Sequence, residues 1–220
     1  MQSSAGFAKR FLDENSYNEL KKVMFGSNVT PDDVNRWYSQ GFVFCDNVPI
    51  WGLKQAQGGP CGILASVQAE IIRELCFSQS KISLNNLQNV SSDELNQVFI
   101  NALMNILKRS SQTNTKYIIV NRVMGKVLSN SSSEKDFEIF EVSDYSEAHR
   151  ILSLCLESLK SESGIVLFLM SLILTRGVAN IKADMDDEFN SVSDFLFFYL
   201  SDFFNNSILI HSFFHLLFNI

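Results

Sequence analysis

The sequence feature that most limits the fold is an apolar run in the second half of the chain, GIVLFLMSLILTRG from Gly164 to Gly177. The run is apolar for about ten residues before Thr175 and Arg176, whereas a helix that crosses a bilayer needs about 20. A helix that is apolar on every side must be enclosed by the rest of the protein. We therefore predict a buried helix here, and no membrane-spanning segment.

Capping residues and apolar spacing predict three more helices. Thr30 and Pro31 form a helix start, with a capping hydroxyl and a proline suited to the first turn. Ser91 and Glu94 form a capping box before apolar residues at helical spacing: Leu95, Val98, Phe99, Ala102, Leu103 and Ile106. Asp144 caps a helix that is predicted to carry Ala148, Ile151, Leu152, Cys155 and Leu159.

Strand patterns are fewer. KYIIV from Lys116 and DFEIFEV from Asp136 read as strands that are separated by the polar loop SNSSSEK. GFVF from Gly41 is also strand-like.

Composition and charge exclude several classes of function. An apolar fraction of 46% over 220 residues can bury a real core. The 18 Lys and Arg residues are scattered and the net charge is −6, so we expect no nucleic-acid partner. The four cysteines lie too far apart for a CxxC metal site, and the first thirty residues lack a secretory signal. We therefore expect reduced thiols and a cytoplasmic or nuclear protein.

The composition changes abruptly after Asn190. The segment 191–220 contains no Lys, Arg, Glu, Gly or Pro and consists mostly of Phe, Ser, Asn, Leu and Ile. A transmembrane helix is disfavoured because Asp202 and other polar residues fall within the segment. A packed amphipathic element is a second interpretation. We favour a third, in which residues 1–190 are a partial domain and 191–220 is an aberrant or alternatively spliced tail that does not belong to it.

The stretch KQAQGGPCGILASVQAEIIREL, from Lys54 to Leu75, combines the pieces of acyl-transfer chemistry. Cys61 is predicted at the first turn of a helix, where the helix dipole stabilises a thiolate. Gly58 and Gly59 leave room for an extended substrate backbone. Gln55 is placed to donate its side-chain amide to the oxyanion formed when the thiolate attacks a carbonyl. The alternative is that Cys61 is a small buried hydrophobic residue, as we expect for Cys76 and Cys155.

The segment WGLKQAQGGPCGILASVQAEIIRELCF resembles the active-site segment of the MINDY family of deubiquitinating cysteine proteases. Two further segments agree with the family: LKKVMFGSNVTPDDVNRWYSQGFVF before it and GIVLFLMSLILTRGVANIKADMDD after it. Together the resemblance spans roughly Leu20 to Glu188.

The resemblance implies an α+β, papain-like fold that hydrolyses isopeptide bonds in polyubiquitin, with preference for the linkage that marks proteins for the proteasome. Cys61 matches the nucleophile and Gln55 the oxyanion-stabilising glutamine. The implied partners are polyubiquitin and ubiquitinated proteins, and no metal or organic cofactor is implied. The oligomeric state is not predicted.

The sequence departs from the family in its histidines. The family's general base is a histidine in a strand near the end of the domain, and this chain ends too soon to contain that pattern, so we expect the fold to be incomplete at its C-terminus. His149 is predicted to be an ordinary surface or boundary residue, and His211 and His215 lie in the tail. Two hypotheses follow: a cysteine-dependent deubiquitinase, or a truncated, weak or inactive form that retains at most ubiquitin binding. A papain-type protease outside this family is a distant third, because the flanking segments do not suit it.

Overall fold

The computed structural model describes residues 7–77, 87, 89–111, 115–185 and 191–192. In these residues the elements are, in chain order, β1 (Phe7–Phe11), α1 (Glu14–Phe25), α2 (Pro31–Tyr38), α3 (Cys61–Phe77), α4 (Ser92–Ser110), β2 (Tyr117–Arg122), β3 (Phe137–Val142), α5 (Tyr145–Leu154), α6 (Leu156–Lys160), α7 (Gly164–Arg176) and α8 (Val178–Asp184). Helices packed around a small antiparallel sheet agree with the predicted α+β class.

The sheet has the order β1-β3-β2, with the central strand β3 antiparallel to both neighbours. The outer edge of β2 is covered by α7. The Val120 N–H donates to Ser171 Oγ at 2.8 Å, and the Ile118 N–H donates to Thr175 Oγ1 at 2.9 Å. Two side-chain hydroxyls thus satisfy strand N–H groups that would otherwise be buried without partners.

The predicted buried helix is confirmed as α7. Its residues from Ile165 to Met170 are at most 1% exposed, and the helix ends at Gly177, which has a positive φ of 91°. In the described part of the chain, no single helix has both the length and the apolar character to span a membrane; α7 and α8 meet that test only jointly, across a 91° bend.

The short-range predictions of helix starts are also confirmed. Thr30 Oγ1 accepts from the Asp33 N–H at 3.2 Å at the start of α2. The capping box of α4 makes both of its hydrogen bonds, from the Ser91 N–H to Glu94 Oε2 at 2.9 Å and from the Glu94 N–H to Ser91 Oγ at 3.3 Å. The two predicted strands are β2 and β3.

Two details of the prediction are wrong. The helix that Asp144 caps ends at Leu154, because the backbone of Cys155 turns to a ψ of 0° and its N–H bonds the carbonyl three residues back, so that Leu159 lies on the separate helix α6. The GFVF segment forms only an isolated bridge, between Phe44 and Leu53, because the Phe42 N–H donates to the Leu159 carbonyl oxygen of α6 and not to a strand.

Of the segment 191–220, the structure describes Ser191 and Val192, which are both buried against the core. The proposed boundary at Asn190 stays a prediction, and the remainder of the segment lies outside the described residues.

Candidate active site

Cys61 is the first residue of α3, as predicted. The helix is held by a buried apolar face, Ile63, Leu64, Val67, Ile71 and Leu75, each at most 5% exposed. The Cys61 thiol is half-buried, and its Sγ lies 3.8 Å from the Gly59 carbonyl oxygen. The first turn of α3 contains no acidic side chain. The thiol therefore sits at a rigid helix N-terminus, where unpaired N–H groups favour negative charge.

The two glycines before Cys61 have different environments. A Cβ added at Gly58 would meet nothing within 4 Å. Gly59 has a φ of +120°, and a Cβ there would lie 2.9 Å from Nε1 of the buried Trp37 indole. Gly59 is therefore required by the fold, whereas the space around the Gly58 Cα is open.

Gln55 lies on the exposed loop that leads into α3. Its Nε2 donates to the Gln57 carbonyl oxygen at 3.1 Å. Among the hydrogen bonds of the described residues, the Gln55 amide and the Cys61 thiol are not joined to each other. Because the bond to Gln57 is exposed, releasing it costs only about 0.5–1.5 kcal/mol, so the amide is free to turn towards a ligand.

Two other glutamines, not predicted from the sequence, hold this loop, one before its start and one at its middle. Gln68 on α3 accepts from the Leu53 N–H at 2.7 Å and donates to the Trp51 carbonyl oxygen at 3.2 Å. Gln40, which is 4% exposed, accepts from the N–H groups of Ala56 at 3.2 Å and Gln57 at 3.0 Å. Gln68 lies in the VQA segment already singled out, whereas no local pattern points to Gln40.

An ion-pair network joins α3 to α4. Arg109 Nη2 lies 2.7 Å from Glu70 Oε2, and Arg73 also contacts Glu70. Burial raises the pKa of Glu70, but the hydrogen bonds from Arg109 and Arg73 outweigh it and leave the pKa below its usual value. Glu70 is thus charged at neutral pH and ties the Cys61 helix to its neighbour.

The four cysteines, all in the described ranges, are free thiols. Cys155 is buried as predicted, and burial, followed by the negative charge of Glu138, raises its pKa to about 12. Cys76 is half-buried, in contrast to the predicted core position, and burial raises its pKa as well. The environments of Cys76 and Cys155 therefore disfavour a nucleophilic thiolate.

His149 is half-buried on α5, in agreement with the prediction of a boundary residue. Its Nε2 lies 2.9 Å from Asn101 Oδ1, and burial lowers its pKa. His211 and His215 lie outside the described residues, so no described histidine is hydrogen-bonded to Cys61. Within the described ranges, no group of three or more His, Cys, Asp or Glu side chains is arranged to hold a metal ion.

Comparisons with known proteins agree with the resemblance. Residues 21–204 match the family described as "Deubiquitinating enzyme MINDY-3/4, conserved domain". Ubiquitin carboxyl-terminal hydrolase MINDY-3 of Bos taurus is 26% identical over 208 residues, which are 80% of this chain and 46% of that protein. Probable ubiquitin carboxyl-terminal hydrolase MINDY-4 of Xenopus tropicalis is 40% identical over 62 residues, 28% of this chain and 8% of that protein. The chain thus spans less than half the length of these curated relatives. No solved structure gives a significant match to the chain.

Proposed function

This chain belongs to the MINDY-3/4 family of deubiquitinating enzymes, and from that premise we propose that it is a cysteine-dependent deubiquitinase. Cys61 is the nucleophile and Gln55 the oxyanion donor. The substrate is the isopeptide bond between the C-terminal glycine of ubiquitin and a lysine, in polyubiquitin or on a ubiquitinated protein.

In the proposed reaction, the Cys61 thiolate attacks the carbonyl carbon of the isopeptide bond, and the carbonyl oxygen becomes an oxyanion that accepts from the Gln55 amide. The C–N bond then breaks, the lysine nitrogen takes a proton from water and leaves as the amine, and a thioester remains on Cys61. Water hydrolyses the thioester and frees the ubiquitin carboxylate and the thiol. The chemistry needs no metal or organic cofactor.

The observation that carries this proposal is the arrangement around Cys61. A half-buried thiol begins a firmly packed helix, the space beside Gly58 is open, and the amide of Gln55 is engaged only in a weak local hydrogen bond. An extended Gly-Gly terminus has no side chains and so suits an approach over Gly58.

A second candidate function is ubiquitin capture with little turnover. It is favoured by the position of His149, whose Nε2 lies 2.9 Å from Asn101 Oδ1 on α4 and is thus engaged away from Cys61. Loss of the group that protonates the departing amine lowers the rate by about 10²–10⁴, while thiol addition to a carbonyl remains possible.

Three finer proposals accompany the first. The architecture is papain-like, the preferred linkage is the one that marks proteins for the proteasome, and the protein works in the cytoplasm or nucleus. The four free thiols support the last of these, because such compartments keep cysteines reduced.

The test uses the 220-residue chain with two substrates. A panel of di-ubiquitins of defined linkage measures hydrolysis, and ubiquitin with a C-terminal aldehyde, which forms a reversible hemithioacetal with a thiol, measures capture. Cys61→Ala is the blank and Cys45→Ala the matched thiol control. Capture lost only in Cys61→Ala supports the proposal, and hydrolysis above that blank selects the enzyme over the second candidate. Equal aldehyde binding by the wild type and Cys61→Ala would refute both functions.

A further inference from the structure

The Gln40 side chain is buried and its polar atoms are directed at one loop. Oε1 accepts from both the Ala56 and the Gln57 N–H groups, at 3.2 and 3.0 Å, while Nε2 donates to the Arg36 carbonyl oxygen at 2.7 Å. Both lone pairs of the amide oxygen are therefore occupied by the two residues that follow Gln55.

The backbone around Gln40 is itself fixed from the opposite side. The Phe42 N–H donates to the Leu159 carbonyl oxygen at 3.0 Å, and Ser163 Oγ donates to the Tyr38 carbonyl oxygen at 2.9 Å. A Cβ at Gly41 would lie 2.0 Å from a carbonyl oxygen of the segment after α6, so this approach is as close as a backbone allows. The backbone of Gln40 is thus fixed to the helical core, and its side chain holds the loop.

The ends of the loop are fixed by other contacts: the Lys54 N–H donates to the Val43 carbonyl oxygen at 2.7 Å, and Gly59 lies against Trp37. Between these two residues, the Gln40 oxygen is what holds the backbone of Ala56 and Gln57. The loop's side chains are mostly exposed, and the Gln55 amide bonds only within the loop. Without the Gln40 oxygen, two backbone N–H groups would lose their acceptor. The observed loop conformation would then have no hydrogen-bond advantage over other conformations.

We propose that Gln40 is a positioning residue for the reaction at Cys61. By fixing the backbone of Ala56 and Gln57, it sets the direction in which Gln55 presents its amide to the carbonyl under attack. This inference rests on the proposed function, because it assigns the target of the Gln55 amide.

The experiment compares affinities for ubiquitin aldehyde and for unmodified ubiquitin in the 220-residue chain. Gln40→Met removes the acceptor at nearly constant side-chain volume. If Gln40→Met does not fold, Gln40→Asn replaces it, because asparagine draws the acceptor back by one methylene. Gln40→Glu, tested at a pH where its buried carboxyl group is protonated, keeps an acceptor oxygen for the loop and an O–H that can donate to the Arg36 carbonyl oxygen. Ser171→Ala is the matched control, because it removes buried hydrogen bonds on α7 that do not involve the loop.

We expect Gln40→Met to lose about tenfold or more in aldehyde affinity, since an oxyanion donor contributes about 10²–10³ when correctly placed. Affinity for unmodified ubiquitin and the rate of Cys61 alkylation by iodoacetamide should stay within about twofold, because neither needs the Gln55 amide. The Gln40→Met, Gln55→Ala double variant should lose no more affinity than Gln55→Ala alone, and Gln40→Glu should recover most of the affinity. Amide hydrogen exchange at Ala56 and Gln57 should accelerate in Gln40→Met but not in Gln40→Glu or Ser171→Ala.

Wild-type aldehyde affinity in Gln40→Met, or an equal loss in Ser171→Ala, would overturn the positioning role and leave the proposed function intact. Additive losses from Gln40→Met and Gln55→Ala would also overturn it, because the two side chains would then act separately. If the wild type binds the aldehyde no better than Cys61→Ala, the proposed function fails, and Gln40 is reduced to a structural residue whatever its exchange data show.

Discussion

Replacing Gly59 with alanine should destabilise the protein, whereas the same change at Gly58 should not. The new methyl group at residue 59 would lie 2.9 Å from Trp37 Nε1 and 3.2 Å from Cδ1, and the backbone φ of +120° is one that alanine rarely adopts. At Gly58 the methyl group would meet nothing within 4 Å. The two adjacent glycines thus provide a variant and its own control.

The magnitude has two parts. A non-glycine residue in such a backbone region costs about 1–3 kcal/mol, and overpacking against a buried side chain costs about 1–3 kcal/mol. Trp37 is 5% exposed and packs edge-on against Phe25 at 5.7 Å, so it cannot move aside freely. The low ends of both ranges give about 2 kcal/mol, or about 4–8 °C in the unfolding temperature of a domain of this size.

Thermal and urea unfolding of the two alanine variants measure the total loss of stability. The same substitutions in a Trp37→Phe background separate the backbone part of that loss from the part due to the contact with Trp37. Phenylalanine lacks the indole Nε1, so the cost of Gly59→Ala should fall by about 1 kcal/mol or more in that background, with the backbone part remaining. Equal stability of the Gly58→Ala and Gly59→Ala variants would refute the reasoning. If Gly59→Ala destabilises the protein equally in the Trp37→Phe background, the contact with the indole is refuted as a cause, and the backbone part remains.

Three further predictions concern thiols, pH and the sheet. Limiting iodoacetamide at about pH 8 should modify Cys61 first, because Cys61 lies at a helix N-terminus, whereas burial raises the pKa of Cys155 to about 12 and raises that of Cys76 as well; adduct mapping that finds Cys45 or Cys155 modified first would contradict this. Burial lowers the pKa of His149 in the folded protein below the value near 6.5 that it has in the unfolded chain. The neutral histidine therefore contributes to stability above the unfolded-state pKa, and this contribution is lost as the pH falls through the lower folded-state pKa. The urea midpoint should therefore fall between about pH 7 and pH 5, and less so in His149→Gln; an equal fall in both proteins would exclude His149 as the cause. Thr175→Val should cost about 1–3 kcal/mol in urea unfolding, because it leaves a buried strand N–H unpaired, whereas Thr175→Ser should retain most of the stability; equal midpoints for the two variants would argue against the hydroxyl.

The parts of the fold that the sequence predicts are those whose causes are local. The caps at Thr30, Ser91 and Asp144 each bond a residue three positions later, and the start of α3 at Cys61 follows from the proline before it. The sequence does not predict β1, because this strand is only five residues long and its partner β3 lies far from it in sequence.

The break at Cys155 could not be read from apolar spacing, because Cys155 and Leu159 are both buried whether or not the helix continues through them. The same limit applies at the candidate site. Cys61 and Gln55 stand out by their chemistry within a short motif. Gln40 does not, because its partners Ala56 and Gln57 come much later in the sequence and lie in a loop without periodicity. A buried glutamine of this kind becomes visible only when its partners are located.

The two hydroxyls on α7 also determine how far that helix can slide along the sheet. Four residues of helix rise about 6 Å and two residues of strand about 6.6 Å, so Ser171 and Thr175 can face Val120 and Ile118 together in one alignment. A displacement by one turn, about 5.4 Å, would bring Leu167 opposite a strand N–H that needs an acceptor. The apolar surface of α7 is nearly uniform around its circumference and does not distinguish these alignments. Two oxygen atoms therefore set the axial position of the most buried helix in the described part of the protein.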